Sequence, residues 1–364
     1  MRSFWSLSCL AAILAIAGCS AQQTGAGVMP PSRAPQQRMH PSTLGGLVEI
    51  QAGKDLTGQI ASDLAGNEWT AGADAYGGNF IVGINEQTDA VSTFDLPGAG
   101  DALGFALDPQ HAKMWFTVPN SAPAYIENID LATHVFARYP LHHNANPDGI
   151  AAGPDDAMWF TELGKNEHAT GRIGRIDLAT FAISEYTLPT HLRPREITLG
   201  ADGALWFSAT TGEDQGSIGR ITTDGQVSDY AIGANRPYGI TTGPDGAIWF
   251  AGVSDANGCL IGRIDLYSHA RKLYKYAPNN GGNYEIATRD SYLWTTELDD
   301  ARIDRLDPST HAVTRRALPN GYYNPFGITL GRDHQLWFTN YGPRGGAFGK
   351  LCPDESQQQC SSGS

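Results

Sequence analysis

The chain has 364 residues, 43 of them glycine, with 41% hydrophobic residues, 17% charged residues and a formal net charge of −13. Enough apolar material to bury a core excludes a disordered chain, and glycine without a three-residue period excludes a collagen-like one. The acidic balance does not suit phosphate backbones, so nucleic acid is not expected as a partner, and the charge reads as a source of solubility. Length alone suggests about two domains. Glycine at about 12% against a usual ~7%, with sparse charge, instead suits a turn-rich, all-β chain.

The first element is an address. Arg2 is a short positive region, and Leu7 to Ala17 is an apolar stretch too short to span a bilayer, which fits a signal peptide. The run Ile16-Ala17-Gly18-Cys19 resembles the lipobox of bacterial lipoproteins. That resemblance implies cleavage before Cys19, acylation of its thiol and, with Ser20 rather than Asp following, an outer-membrane destination. Residues 1–18 are therefore read as signal, and the expected location is the bacterial cell envelope, facing the periplasm or the surface. The membrane becomes a partner through the lipid, since several acyl chains anchor stably where one does not. Residues 19–46 are rich in Gly, Pro, Gln and Ser and lack hydrophobic periodicity, as a flexible tether should.

Next comes LVEIQ at 47–51, a strand with no blade of its own. Behind it the chain repeats. Trp69, Trp115, Trp159, Trp206, Trp249, Trp294 and Trp337 recur at about 45 residues, a propeller-blade period. The text around them repeats too: PDGIAAGPDDAMWFTE at 147–162, PREITLGADGALWFSA at 194–209, PYGITTGPDGAIWFAG at 237–252 and PFGITLGRDHQLWFTN at 325–340. Each holds an apolar strand, a Gly/Asp turn and a strand carrying Trp. A third strand follows (IGRID at 173–177, IGRIT at 218–222, IGRID at 261–265, and the variant RIDRLD at 302–307), then a fourth with an aromatic residue, as in SEYTLP at 184–189. Four strands per repeat predict one twisted antiparallel blade, and the fold class is an all-β, seven-bladed propeller over residues 47–351. The last repeat lacks a fourth strand, so the spare strand at 47–51 is expected to pair there and close the ring, which removes open sheet edges. Residues 352–364 form a polar tail. Cys352 and Cys360 in it are candidates for a small disulfide in an oxidising compartment, which leaves Cys259 single.

The position two before each inner-strand apolar residue should ring the axis at one mouth. These are Gly58, Leu103, Asp148, Arg195, Tyr238, Tyr284 and Phe326, joined by Glu162, Glu297 and Asn340 from the ends of the Trp strands. Aromatic walls with a few fixed polar groups suit a small molecule, a sugar or a peptide. The ligand-binding candidates are thus Asp148, Glu162, Arg195, Tyr238, Tyr284, Glu297, Phe326 and Asn340. Around the third repeat, His142, His143, Asp148, Glu162 and His168 (with Glu167) could converge on a divalent ion, since imidazole and carboxylate both ligate zinc. Other histidines, such as His134, His269 and His311, fall among loops and turns.

The pattern P-x-G-I-x-x-G-P-D-G-x-x-W-F-T-E … I-G-R-I resembles the virginiamycin B lyase, or streptogramin lyase, family over about residues 47–351. The resemblance implies a seven-bladed propeller closed by an N-terminal strand. It also implies a carbon–oxygen lyase that opens a cyclic depsipeptide by elimination, with two histidines and magnesium-holding glutamates at the mouth of the last two blades. The histidine positions fall on Tyr284 and Phe326, and the glutamate positions on Asn324 and Asn340. Phe cannot transfer a proton, and neutral Asn is a poor carboxylate substitute at magnesium. The expectation is therefore a monomeric ligand- or protein-binding propeller, with a small molecule, glycan, peptide or envelope protein as partner and no cofactor. The alternative is a diverged streptogramin lyase using Mg2+, and a passive envelope scaffold is a third reading.

Overall fold

In the computed structural model every repeat folds as one antiparallel sheet, and the innermost strands of successive sheets touch in cyclic order, so seven blades surround an axis. The structure describes residues 42–44, 47–98, 100–142, 145–164, 170–189, 192–211, 215–255, 258–276, 281–319, 324–342 and 345–351. Cys19, His143, Glu167, His168, Cys352 and Cys360 lie outside the described residues, as do the signal and most of the tether. Blades 1 to 6 span Asp55–Asp95, Phe105–Pro140, Pro147–Thr187, Arg193–Gly233, Arg236–Tyr276 and Asn283–Ala317. Blade 7 takes three strands from Pro325–Leu351 and a fourth from Leu47–Gln51.

The predicted closure is seen in its register: Leu47 lies opposite Leu351 and Ile50 opposite Phe348. Leu47, Val48 and Ile50 are buried in doing so. One part of the tether differs from its sequence reading. Ser42–Leu44 is a fifth strand on this sheet, antiparallel to the closing strand with Leu44 opposite Leu47.

The core lies between blades. Trp159 of blade 3 packs with Leu205 and Phe207 of blade 4, and Trp206 of blade 4 packs with Ile248 and Phe250 of blade 5. These rings are fully buried, and each such side chain contributes roughly 1.5–3 kcal/mol. That is why tryptophan recurs once per blade.

The rest of the repeat holds each tryptophan in place. The turn aspartate accepts the indole N–H, as in Trp159 to Asp155 at 2.9 Å, Trp206 to Asp202 at 3.0 Å and Trp249 to Asp245 at 2.8 Å. The arginine of the third strand binds the same carboxylate, at 2.7 Å for Arg175, 2.8 Å for Arg220 and 2.7 Å for Arg263. The outer-strand aromatic then stacks on the tryptophan, as Tyr186 does on Trp159 and Tyr230 on Trp206. A turn residue can extend the stack: His134 lies on Phe94, His269 on Tyr230 and His311 on Tyr274. The glycine of I-G-R-I also has a steric cause. A Cβ on Gly219 would lie 2.0 Å from the Phe207 ring.

Candidate functional site

The inner strands of blades 3 to 7 each slip register by an extra residue as they leave the mouth: Pro147 faces Glu162, but Ile150 faces Phe160. The same slip recurs at Pro194/Ile197, Pro237/Ile240, Asn283/Ile286 and Pro325/Ile328. A bulge re-aims side chains, and here it lets two consecutive residues per blade approach the axis. The first row is the predicted one. The second is Gln59, Gly104, Gly149, Glu196, Gly239, Glu285 and Gly327.

Four first-row residues form a continuous run. Asp148 Oδ2 lies 3.8 Å from Arg195 Nη1. The Arg195 guanidinium sits over the Tyr238 ring at 5.1 Å, and Tyr238 stacks on Tyr284 with centroids 5.0 Å apart. Backbone hydroxyl bridges set their positions. Thr117 Oγ1 accepts from Gly104 N and donates to Asp148 O of the next blade, at 3.0 and 2.7 Å. Thr161 makes the same bridge to the carbonyl of Arg195, Ser208 to that of Tyr238 and Thr296 to that of Phe326. At the blade 5–6 junction the equivalent residue is Ala251, which has no hydroxyl.

The second row adds charge. Gln59 Nε2 donates to Glu285 Oε1 at 3.1 Å, joining blade 1 to blade 6. Burial pushes the Glu285 carboxyl up to about 8, with the Asp148 charge adding to it and the Gln59 bond opposing it. Burial and then the Glu285 and Asp148 charges hold Glu196 well above the usual carboxylate range. Burial also raises Asp148, against the pull of Arg195. Three carboxyls and one guanidinium thus share the axis, and burial there opposes ionisation of all three carboxyls together. Gly149 is required by this crowding: a Cβ there would meet Arg195 O at 2.7 Å and Glu196 Oε2 at 2.8 Å.

The other candidates lie apart from this run. Glu162 is buried at the end of its strand, 3.7 Å from Arg172 Nη1. Arg172 also reaches Glu185, which bonds His142 Nδ1 at 2.7 Å. Burial, followed by the Glu185 charge, pushes Glu162 up to about 7. So His142 and Glu162 belong to one ionic cluster, whereas Asp148 pairs with Arg195 at the axis. Asn340 is buried in the second strand of blade 7, Phe326 is half-buried, and Asn324 is exposed. The donor set at Tyr284, Asn324, Phe326 and Asn340 offers no carboxylate, and it does not fit magnesium.

Glu297 falls into a further cluster that the sequence reading did not assemble. Cys259, Glu297 and Asp304 are fully buried, with ligand atoms all within 4.8 Å of one another. Arg315 Nη2 binds Glu297 Oε2 at 2.7 Å, and Arg315 Nε lies 3.6 Å from Asp304 Oδ2. Burial and the Glu297 charge push Asp304 up to about 6. A signal for these missed residues exists. Glu196 and Glu285 stand where PDGI, PYGI and PFGI carry glycine, and Asp304 stands where I-G-R-I does.

Residues 58–265 and 233–359 match the virginiamycin B lyase family. The chain is similar to a streptogramin B lyase structure at 30% identity, covering 84% of this chain and 96% of that one with a TM-score of 0.71. Virginiamycin B lyase from Staphylococcus aureus matches at 30% identity over 85% and 99% of the two chains, TM-score 0.72. YCF48 bound to a D1 peptide shares the fold alone, at 13% identity over 86% and 97% of the chains and TM-score 0.62. No curated protein sequence matches the chain.

Proposed function

The chain belongs to the virginiamycin B lyase family, and from that premise we propose that it is a binding propeller of the lyase type rather than an active lyase. One observation carries this reading. The positions where the resemblance requires histidines and glutamates hold Tyr284, Phe326, Asn324 and Asn340, while the mouth holds the run Asp148–Arg195–Tyr238–Tyr284. Stacked tyrosines supply an aromatic wall, and the Asp148–Arg195 pair supplies oriented donors and acceptors beside it. Such a surface takes a small molecule, sugar or peptide with a flat or apolar face and a polar edge. In this reading Cys19 carries a lipid, and the propeller works at the bacterial envelope.

A ligand and partner screen tests the proposal, with the double variant Tyr238→Ala, Tyr284→Ala as comparator. Loss of a detected interaction in that variant supports it; an interaction left intact counts against the mouth. The lyase reading is favoured by 30% identity over most of the chain. Incubation with a streptogramin B and magnesium decides it. Elimination leaves the mass unchanged, so a chromatographic shift at constant mass would establish ring opening and overturn the binding reading.

A further inference from the structure

We propose that Cys259, Glu297 and Asp304 form a structural zinc site that clamps blade 5 to blade 6. Cys259 opens the third strand of blade 5, Glu297 ends the second strand of blade 6, and Asp304 lies in its third strand. Their ligand atoms lie within 4.8 Å of one another, and tetrahedral zinc with bonds of about 2.0–2.3 Å needs ligand separations of roughly 3.3–3.8 Å. Small side-chain movements close that difference.

The donor oxygens are already desolvated. The Tyr276 hydroxyl and the Arg315 guanidinium approach Asp304, and the Cys259 thiol approaches Glu297, but no donor meets either Asp304 oxygen or Glu297 Oε1 in full hydrogen-bond geometry, although both side chains are fully buried. Buried carboxylate oxygens without donors are costly, and a cation satisfies them. The charge also balances. A thiolate and two carboxylates against Arg315 leave two negative charges, which a divalent ion neutralises while the thiol proton leaves for solvent. A thiolate beside carboxylates selects zinc over magnesium or calcium, which prefer oxygen alone.

The repeat gives independent support. Blade 6 has Thr295 where blades 3, 4, 5 and 7 have Phe160, Phe207, Phe250 and Phe338. It has Asp304 where they have Gly174, Gly219, Gly262 and Gly349. A ring packed on glycine is thereby replaced by the polar pair Thr295 and Asp304, and Asp304 lies next to Cys259. The same junction lacks the hydroxyl bridge, because Ala251 stands in its place. The blade 1–2 junction, with Ala71 at this position, lacks the bridge as well, so the polar replacement at Asp304 is what sets the blade 5–6 junction apart.

The test uses the full chain, purified without chelators, then stripped and titrated with Zn2+ or Co2+. The expected results are one metal per chain, an upward shift in Tm of about 5 °C at a hundredfold excess over Kd, and a thiolate-to-cobalt charge-transfer band. Cys259→Ser should abolish the band, Asp304→Asn should weaken binding at least tenfold, and Cys352→Ser with Cys360→Ser should leave both unchanged. Absence of the band from wild-type protein overturns the proposal without any variant. Persistence of the band in Cys259→Ser, or its loss in the tail double variant, overturns it equally.

Discussion

The interior of the blades and the mouth of the axis come from the same repeat but obey different rules. Between blades, one arrangement recurs: turn aspartate, indole and third-strand arginine, closed by a stacked aromatic ring. At the mouth, the first row changes from blade to blade through Gly, Leu, Asp, Arg, Tyr, Tyr and Phe. The bulge separates the two regions. The hydroxyl bridges fix the backbone there, and the two side chains on it pack around the axis rather than in the core between blades. Individuality collects where the ring can tolerate it.

Four substitutions and one deletion would break or sharpen that contrast. Deleting Leu47–Gln51 should cost most, because it exposes the edge of blade 7 and removes three buried side chains worth about 5 kcal/mol together. Thermal melting should show a large drop, and unchanged melting would refute the closure. Asp245→Ala removes the acceptor of Trp249 and the partner of Arg263, at about 2 kcal/mol in chemical denaturation. Thr161→Ala breaks one bridge between neighbouring blades, for about 1–2 kcal/mol.

The fourth prediction concerns pH. The Glu285 carboxyl is raised to about 8 in the folded protein, so the fold binds a proton that the unfolded chain has released above about pH 4.3. Its stabilising contribution is complete below that value and is lost as pH rises towards 8. Tm should therefore fall between pH 5 and 8.5, and Glu285→Gln should flatten that fall. A profile unaltered by the substitution would remove Glu285 from the axial network. The smallest effect is expected of Tyr284→Phe, which keeps the stack on Tyr238 and should change stability by less than about 1 kcal/mol. A larger loss would mean that the Tyr284 hydroxyl itself holds the mouth together.

The contrast also explains what could be read from the chain. The blades were legible because packing forces the same residue types to return at one period. Closure was legible because the last repeat lacks a strand and residues 47–51 supply one. The first axial row followed from register. The second did not, since strict alternation turns Glu196 and Glu285 away from the axis and only the bulge brings them back. Nor did the partners of Cys259: Glu297 and Asp304 lie on another blade, and sequence distance carries no information about that approach. The His142–Glu162 grouping was visible as a local concentration of residues, but its link through Arg172 and Glu185 depends on the strand pairing.

The seam in blade 7 has a consequence for the order of folding. Every other blade is made from neighbouring segments joined by short turns, so its strands can pair as soon as they exist. Leu47 must find Leu351, roughly 300 residues away along the chain. Contacts so distant in sequence are slow to form, and their loop entropy falls only after the intervening blades have condensed. The ring therefore closes last, and until then the third strand of blade 7 keeps an edge open to other chains. Folding yield should depend on protein concentration most strongly at that step.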